Sequence, residues 1–174
     1  MFTLRCTQKL QTRLGAQPSP ELAPADTVLG DWYANLLRIG RAQLVIAVSE
    51  RTLLPVVVPA REARNLVTRV GDALELLLLS IGIPSPEVLA ERGAMSSWTL
   101  GKTASRRVLG SLNDLAFQLE VGLTHFPQRT LLEQSLWLAK TPMKVIEYAA
   151  PDAATVAAFA ACRELHRVRM LARG

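Results

Sequence analysis

The most constraining feature of this sequence is a nearly continuous apolar run, Gln43–Val48, that closely follows a Gly40-Arg41 pair. Runs of this kind are typical of strands that are buried on both faces. The stretches Asp31–Ile39 and Ala42–Ser49 therefore predict a hairpin that turns near Gly40. Its second strand is expected to lie at the centre of a sheet.

Two further strands are predicted in the first sixty residues. Phe2–Cys6 alternates between apolar and polar residues, as a half-buried strand does. Leu53–Val58 contains Pro55, which has no N–H to donate to a neighbouring strand, so this strand is expected at an edge or at a bulge. Between the first two strands, Gln8–Leu14 predicts a short helix that ends at Gly15.

Apolar residues that recur at three- and four-residue steps predict mainly helices after residue 60. Five helices are expected, at 61–82, 85–93, 103–124, 127–139 and 152–172, and Ser85 is the predicted cap of the second. One short strand is expected at Met95–Gly101. The inner side of the last helix is predicted from its small and apolar residues, which are Ala153, Val156, Ala157, Ala160, Leu165 and Val168.

Together these elements predict an α+β fold. A small, mostly antiparallel sheet from the N-terminal third (1–60) would be covered by four or five helices from residues 61–174. With 174 residues the chain is long enough for one core, and we expect a single domain over 1–174. The hydrophobic fraction of 49% excludes a largely disordered chain.

Charge and cysteine content narrow the possible partners and compartment. Twenty basic against fifteen acidic residues give a formal net charge of +5, which attracts phosphate-rich partners. Cys6 and Cys162 lie at opposite ends of the chain, so a local zinc knuckle is excluded. We expect two reduced thiols in a cytoplasmic protein, while a single bridge between them stays open. The apolar run in 73–83 is too short to span a membrane. No membrane contact, cofactor or metal is expected.

Two polar groups in the N-terminal third are candidate sites. The first, formed by Arg5, Thr7 and Lys9, is suited to binding a phosphate at the start of the first helix, or is a capping threonine beside solvated cations. The second gathers at one end of the hairpin and consists of Asp31, Trp32, Asn35, Ser49, Glu50, Arg51 and Thr52. There Trp32 is a candidate for stacking on a base, or these are turn residues around a half-buried ring.

The helix predicted at 103–124 carries a third, denser polar group. Its members are Thr103, Ser105, Arg106, Ser111, Asn113 and Asp114. Arg106, Gly110, Asn113 and Phe117 fall on one line along the helix. Gly110 costs about 1 kcal/mol relative to alanine, which predicts close approach of another backbone. This face is either a contact surface for nucleic acid or a buried polar network that ties the helix to the hairpin.

Four blocks of sequence carry a family resemblance. They are MFTLRCTQKL at 1–10, LGDWYANLL at 29–37, VSERTLLPV at 48–56 and TASRRVLGSLND at 103–114. In these blocks the chain resembles an uncharacterised bacterial family known only as a domain of unknown function. The resemblance implies a small, soluble, cytoplasmic protein and brings no activity, substrate or cofactor with it.

Three functions follow as alternatives. The leading one is a non-catalytic binding or regulatory protein that contacts nucleic acid or a protein partner through the sheet end and the 103–118 helix. The second is an enzyme acting on a phosphorylated or nucleotide substrate, which requires Asp31, Glu50 and Asp114 to converge. The third is a structural or oligomerising domain, suggested by the alanine-rich last helix. The oligomeric state stays open.

Overall fold

Five strands form one mixed sheet in the order β4-β3-β2-β1-β5. The computed structural model describes residues 1–172. The strands are β1 (Phe2–Cys6), β2 (Trp32–Ile39), β3 (Ala42–Ser49), β4 (Pro55–Pro59) and β5 (Trp98–Lys102). β3 pairs antiparallel with β2 and β4, whereas β1 runs parallel to both β2 and β5.

The α+β class is confirmed, but the prediction of a mostly antiparallel sheet was wrong. Two of the four strand pairings are parallel, and β5 comes from outside the N-terminal third. Parallel neighbours need a long connection between them. The chain between β1 and β2 supplies one through α1 and residues 15–31, and α2 and α3 lie within the longer path that leads to β5.

The helices begin and end close to the predicted residues. They are α1 (Gln8–Leu14), α2 (Leu66–Ser80), α3 (Ser85–Ala94), α4 (Arg106–His125), α5 (Leu131–Leu138) and α6 (Pro151–Leu171), with short 3₁₀ turns at Ala63–Asn65 and Lys144–Ile146. Gly15 ends α1 in the left-handed region, with φ 62°. Ser85 is the first residue of α3 and makes no capping bond. Thr130 and Glu133 form a reciprocal capping box that starts α5.

The sheet is buried on both faces, and β3 lies at the centre of the packing. Val45 and Ala47 pack on one side, in a core that includes α2 and α3 residues. Ile46 and Val48 pack on the other side, against α4 and α5. β4, which contains Pro55, forms an edge of the sheet, which is one of the two positions predicted from its proline.

The predicted inner side of α6 was wrong. Ala153, Val156, Ala157, Ala160, Leu165 and Val168 are all exposed, and the helix instead buries Pro151, Asp152, Thr155 and Phe159. An aromatic ring loses far more apolar surface to the core than alanine side chains do, so Phe159 sets the rotation of the helix. Thr155 adds a hydrogen bond of 2.9 Å from its hydroxyl to that of Thr52.

Among the described residues, one helical stretch, Lys144–Leu171, passes a length-and-composition test for crossing a membrane. About a fifth (22%) of its most apolar window is buried within the protein. Core helices of soluble proteins pass the same test, so a single such stretch is weak evidence for a membrane span.

Candidate functional site

A hydrogen-bonded ion pair lies where β1 and β2 begin. Asp31 accepts hydrogen bonds from the Thr3 N–H at 2.9 Å and from the Arg5 Nε–H at 3.0 Å. A second nitrogen of Arg5 lies 2.8 Å from the same carboxylate, which is mostly buried. Arg5 also donates to the Lys102 carbonyl at 3.2 Å. The partner of Asp31 is therefore Arg5, and this pair joins three strands of the sheet.

Tyr33 links the sheet to the start of α4. Its hydroxyl accepts a hydrogen bond from the Ser105 N–H at 3.0 Å and lies 3.5 Å from a Glu50 carboxylate oxygen. Burial raises the pKa of Tyr33 above its ordinary value. The Ser105 hydroxyl in turn accepts from the Val108 N–H and caps the helix. No role was predicted for Tyr33, because an aromatic residue in a strand is typical of a core.

Most of the remaining N-terminal candidates hold the fold together. Trp32 is fully buried, so its ring is not open to a base. Thr7 donates to the Asn35 side chain at 2.8 Å and makes no capping bond to α1. The hydroxyl groups of Ser49 and Thr52 are 2.7 Å apart. Arg51 donates to the backbone carbonyls of residues 27 and 28.

The outward side of α4 faces an open groove, which we call the α4 groove. Its volume is about 720 Å³. From α4 it is lined by Arg106, Arg107, Gly110, Ser111, Asp114, Phe117 and Gln118, and from the following segment by Thr141–Val145 and Tyr148. A Cβ placed on Gly110 would meet no atom within 4 Å. The predicted close backbone approach at Gly110 was therefore wrong, and the glycine lies on the open side of the helix.

The α4 groove has a cationic lining. Arg106, Arg107 and Lys144 supply three positive charges against the single carboxylate of Asp114. Arg107 donates to the Val145 carbonyl at 3.3 Å. Among residues 1–172, neither Arg106 nor Lys144 lies within ion-pair distance of a carboxylate. Both side chains are exposed, so their charge is available to an anion.

A second groove adjoins the first at Phe117, and we call it the β2 groove. Its volume is about 360 Å³, and Phe117 lines both grooves. Lys9, Asn35 and Arg38 line it beside Leu36, Leu37, Ile39, Ala116 and Glu120. The two grooves together present five cations, two carboxylates and two aromatic rings, Phe117 and Tyr148.

The grooves bring together some of the predicted residues and omit others. Arg106, Ser111 and Asp114 line the α4 groove, and Lys9 and Asn35 line the β2 groove. Thr103 and Asn113 line neither. Lys144 and Tyr148 were not predicted as site residues, because their segment carries no periodic pattern. Of the acids that an enzyme would need, Asp31 is bonded to Arg5, Glu50 faces Tyr33 and Asp114 lines the α4 groove.

A separate pocket of about 540 Å³ lies between α3 and α6. At its wall, one Arg163 nitrogen contacts both carboxylate oxygens of Glu87 at 2.8 Å. The carboxyl of Glu91 accepts from the N–H groups of Val28 and Leu29, and burial raises its pKa. Cys162 Sγ lies 3.7 Å from the His166 ring.

Both cysteines are free. Burial raises the pKa of the Cys6 thiol to about 12. Among the described residues 1–172, no group of three or more His, Cys, Asp and Glu side chains is placed to hold a metal ion.

The sequence pattern of a family described as "Domain of unknown function (DUF6933)" matches residues 3–154. The chain belongs to this family. The predicted membership of an uncharacterised domain family is thus confirmed. The DUF6933 match spans all residues that line the two grooves, whereas the α6 residues of the separate pocket, 159–166, lie beyond it. No curated protein and no solved structure matches the chain.

Proposed function

We propose that this protein is a non-catalytic binding protein whose α4 and β2 grooves hold a nucleic acid. The observation that carries the proposal is the unneutralised cationic lining of these grooves. Arg106 and Lys144 have no carboxylate partner among residues 1–172, and Lys9 and Arg38 extend the positive charge beyond Phe117. Cations that face water in a groove are suited to replacing the counterions of phosphates.

The architecture around the grooves supports a binding role. The Tyr33 hydroxyl accepts the hydrogen bond that holds the start of α4 to the sheet. The Asp31 carboxylate already accepts hydrogen bonds from Thr3 and Arg5. The groove-lining cations of α4 therefore stand on a helix that is fixed to the sheet. Because the helix is already ordered, binding does not lose free energy to order the backbone that carries these cations.

The test is binding of labelled, mixed-sequence nucleic acid over a series of salt concentrations. We expect affinity to fall steeply as salt rises, and replacement of Arg106, Arg107 and Lys144 by Gln to weaken binding. The slope of log K against log salt should shrink by about 0.7 for each lost contact with a single strand. All three side chains are exposed, so the melting temperature should change little.

A matched control removes the same charge elsewhere. Arg64, Arg167 and Arg169 are exposed and line neither groove. Their replacement by Gln should leave the salt slope within about 0.3 of that of the unmodified protein. Absence of binding at low salt, or equal loss in both triple variants, would remove the proposal. A fall in melting temperature for Arg106→Ala alone would assign that side chain a structural role.

A further inference from the structure

Two aromatic side chains at the α4 groove are unusually exposed. Phe117 is 68% exposed and Tyr148 is 67% exposed, although both line a groove. They come from different elements, since Phe117 lies on α4 and Tyr148 on the segment that follows α5. Both residues line the same groove as the cations Arg106, Arg107 and Lys144. A cationic groove and exposed aromatic rings are the two components of a surface that binds single-stranded nucleic acid.

The backbone that carries Tyr148 is strained and held in place. Glu147 and Tyr148 are consecutive non-glycine residues in the left-handed region, with φ values of 56° and 62°. The Tyr148 N–H donates to the Met143 carbonyl at 3.0 Å, and the Met143 N–H donates to the Ala149 carbonyl at 3.0 Å. A fold that keeps such a conformation loses stability, and strained residues of this kind cluster at ligand sites. Here the strain belongs to the turn that carries an exposed ring.

A second aromatic cluster, formed by Phe126 and Trp137, differs because a cation already lies over its rings. Arg129 lies over the Phe126 ring at 4.0 Å and over the Trp137 ring at 5.5 Å. That cation already covers a face of the Phe126 ring. Within residues 1–172, no Arg or Lys side chain lies over the ring of Phe117 or Tyr148. Their exposed faces remain open to a ligand.

From these observations we infer that the grooves bind nucleic acid as a single strand, with bases stacked on Phe117 and Tyr148 and phosphates beside the flanking cations. This inference rests on the proposed function and specifies its ligand. Phe117 lines both grooves, so the strand continues from the α4 groove past this ring towards Lys9 and Arg38. A duplex keeps its bases stacked within the helix and leaves the two rings without partners.

The experiment compares labelled single strands of about 15 nucleotides with a duplex of the same length and with heparin, within the range of roughly 4–16 nucleotides that single-strand sites cover. Single strands should bind tightest at equal salt. Phe117→Leu and Tyr148→Leu should each weaken single-strand binding about five- to one-hundred-fold. Because these substitutions remove no charge, they should leave the salt slope unchanged.

Controls separate stacking from misfolding. Tyr148→Trp should retain binding because it keeps a ring, whereas Tyr148→Asn should lose it while tolerating the left-handed backbone. Phe126→Leu changes an aromatic residue that lines neither groove and should leave affinity within about twofold. Thermal melting checks that every variant is folded.

The outcomes distinguish the two levels of the proposal. If no nucleic acid and no heparin binds at low salt, the proposed function fails. If single strand, duplex and heparin bind equally and the leucine variants match the unmodified protein, the grooves hold polyanions by charge alone and the single-strand inference is overturned. The single-strand inference is supported if both leucine variants selectively lose single-strand binding while Tyr148→Trp still binds.

Discussion

The Tyr33 hydroxyl lies 3.0 Å from the backbone nitrogen of Ser105, and this hydrogen bond fastens β2 to the first turn of α4. Tyr33→Phe keeps the ring in the core but leaves the Ser105 N–H without its acceptor. We expect the free energy of unfolding to fall by about 1–3 kcal/mol, measured by urea denaturation. Tyr148→Phe is the matched control, because that side chain is 67% exposed. An equal effect of the two changes would contradict the linking role of Tyr33.

Gly110 and Gly122 lie on the same helix but in opposite surroundings. A Cβ at Gly110 meets nothing within 4 Å, whereas one at Gly122 lies 2.6 Å from Gln134 Oε1 and 2.8 Å from the Trp137 ring. Gly110→Ala should therefore stabilise the protein by about 1 kcal/mol through helix propensity, and Gly122→Ala should destabilise it. Thermal and urea unfolding of both variants check this. Destabilisation by Gly110→Ala would mean that another surface covers the α4 groove.

The buried carboxyl of Glu91 predicts a specific dependence of stability on pH. Burial raises the pKa of Glu91 in the folded protein above its ordinary value of 4.5. The folded state then holds this proton more tightly than the unfolded chain, so the contribution of Glu91 to stability declines as pH rises from about 4.5 to the folded pKa. Glu91→Gln removes that decline. Asp26, Glu87, Cys162 and His166, which line the same pocket, are present in both proteins, so the comparison isolates the contribution of Glu91.

The measurement is urea denaturation of both proteins over a pH series. Glu133→Gln, compared with the unmodified protein over the same pH series, provides a control of opposite sign, because hydrogen bonds from Thr130 lower the pKa of the Glu133 carboxyl. The contribution of Glu133 should be present above its ordinary pKa and disappear as pH falls through the folded pKa. Parallel pH profiles for the unmodified protein and Glu91→Gln would contradict the prediction for Glu91.

The exposed side of α6 should be insensitive to substitution in a single chain. Leu165 and Val168 are 61% and 54% exposed, so a Leu165→Gln, Val168→Gln double variant should change stability by less than about 0.5 kcal/mol. Phe159→Ala, on the buried side, should cost about 3–5 kcal/mol. Light scattering and unfolding at two protein concentrations check this. A concentration-dependent loss of stability in the double variant would show that α6 is buried between copies.

Local sequence patterns predicted most of the elements and little of the candidate site. The turn at Gly40 and the helix end at Gly15 depend on residues within a few positions of one another, and the structure contains both. The sequence predicted the α4 side of the α4 groove, because its residues form a polar face on that helix. The other wall of the groove was not predicted, because Tyr148 lies about thirty residues away in a segment without a periodic pattern.

By itself, the sequence determined the α+β class, the position of β3 inside the sheet with both faces buried, and the restriction of β4 to an edge or a bulge, since apolar runs and proline act through local backbone geometry. Only the tertiary structure decided that β1 pairs in parallel with β2 and β5, that α6 buries Phe159 instead of its alanine side, and that Gly110 faces an open groove. These outcomes depend on which distant surfaces compete for the same apolar area. The result depends on packing between residues that are far apart in the sequence, so a local sequence pattern cannot predict it.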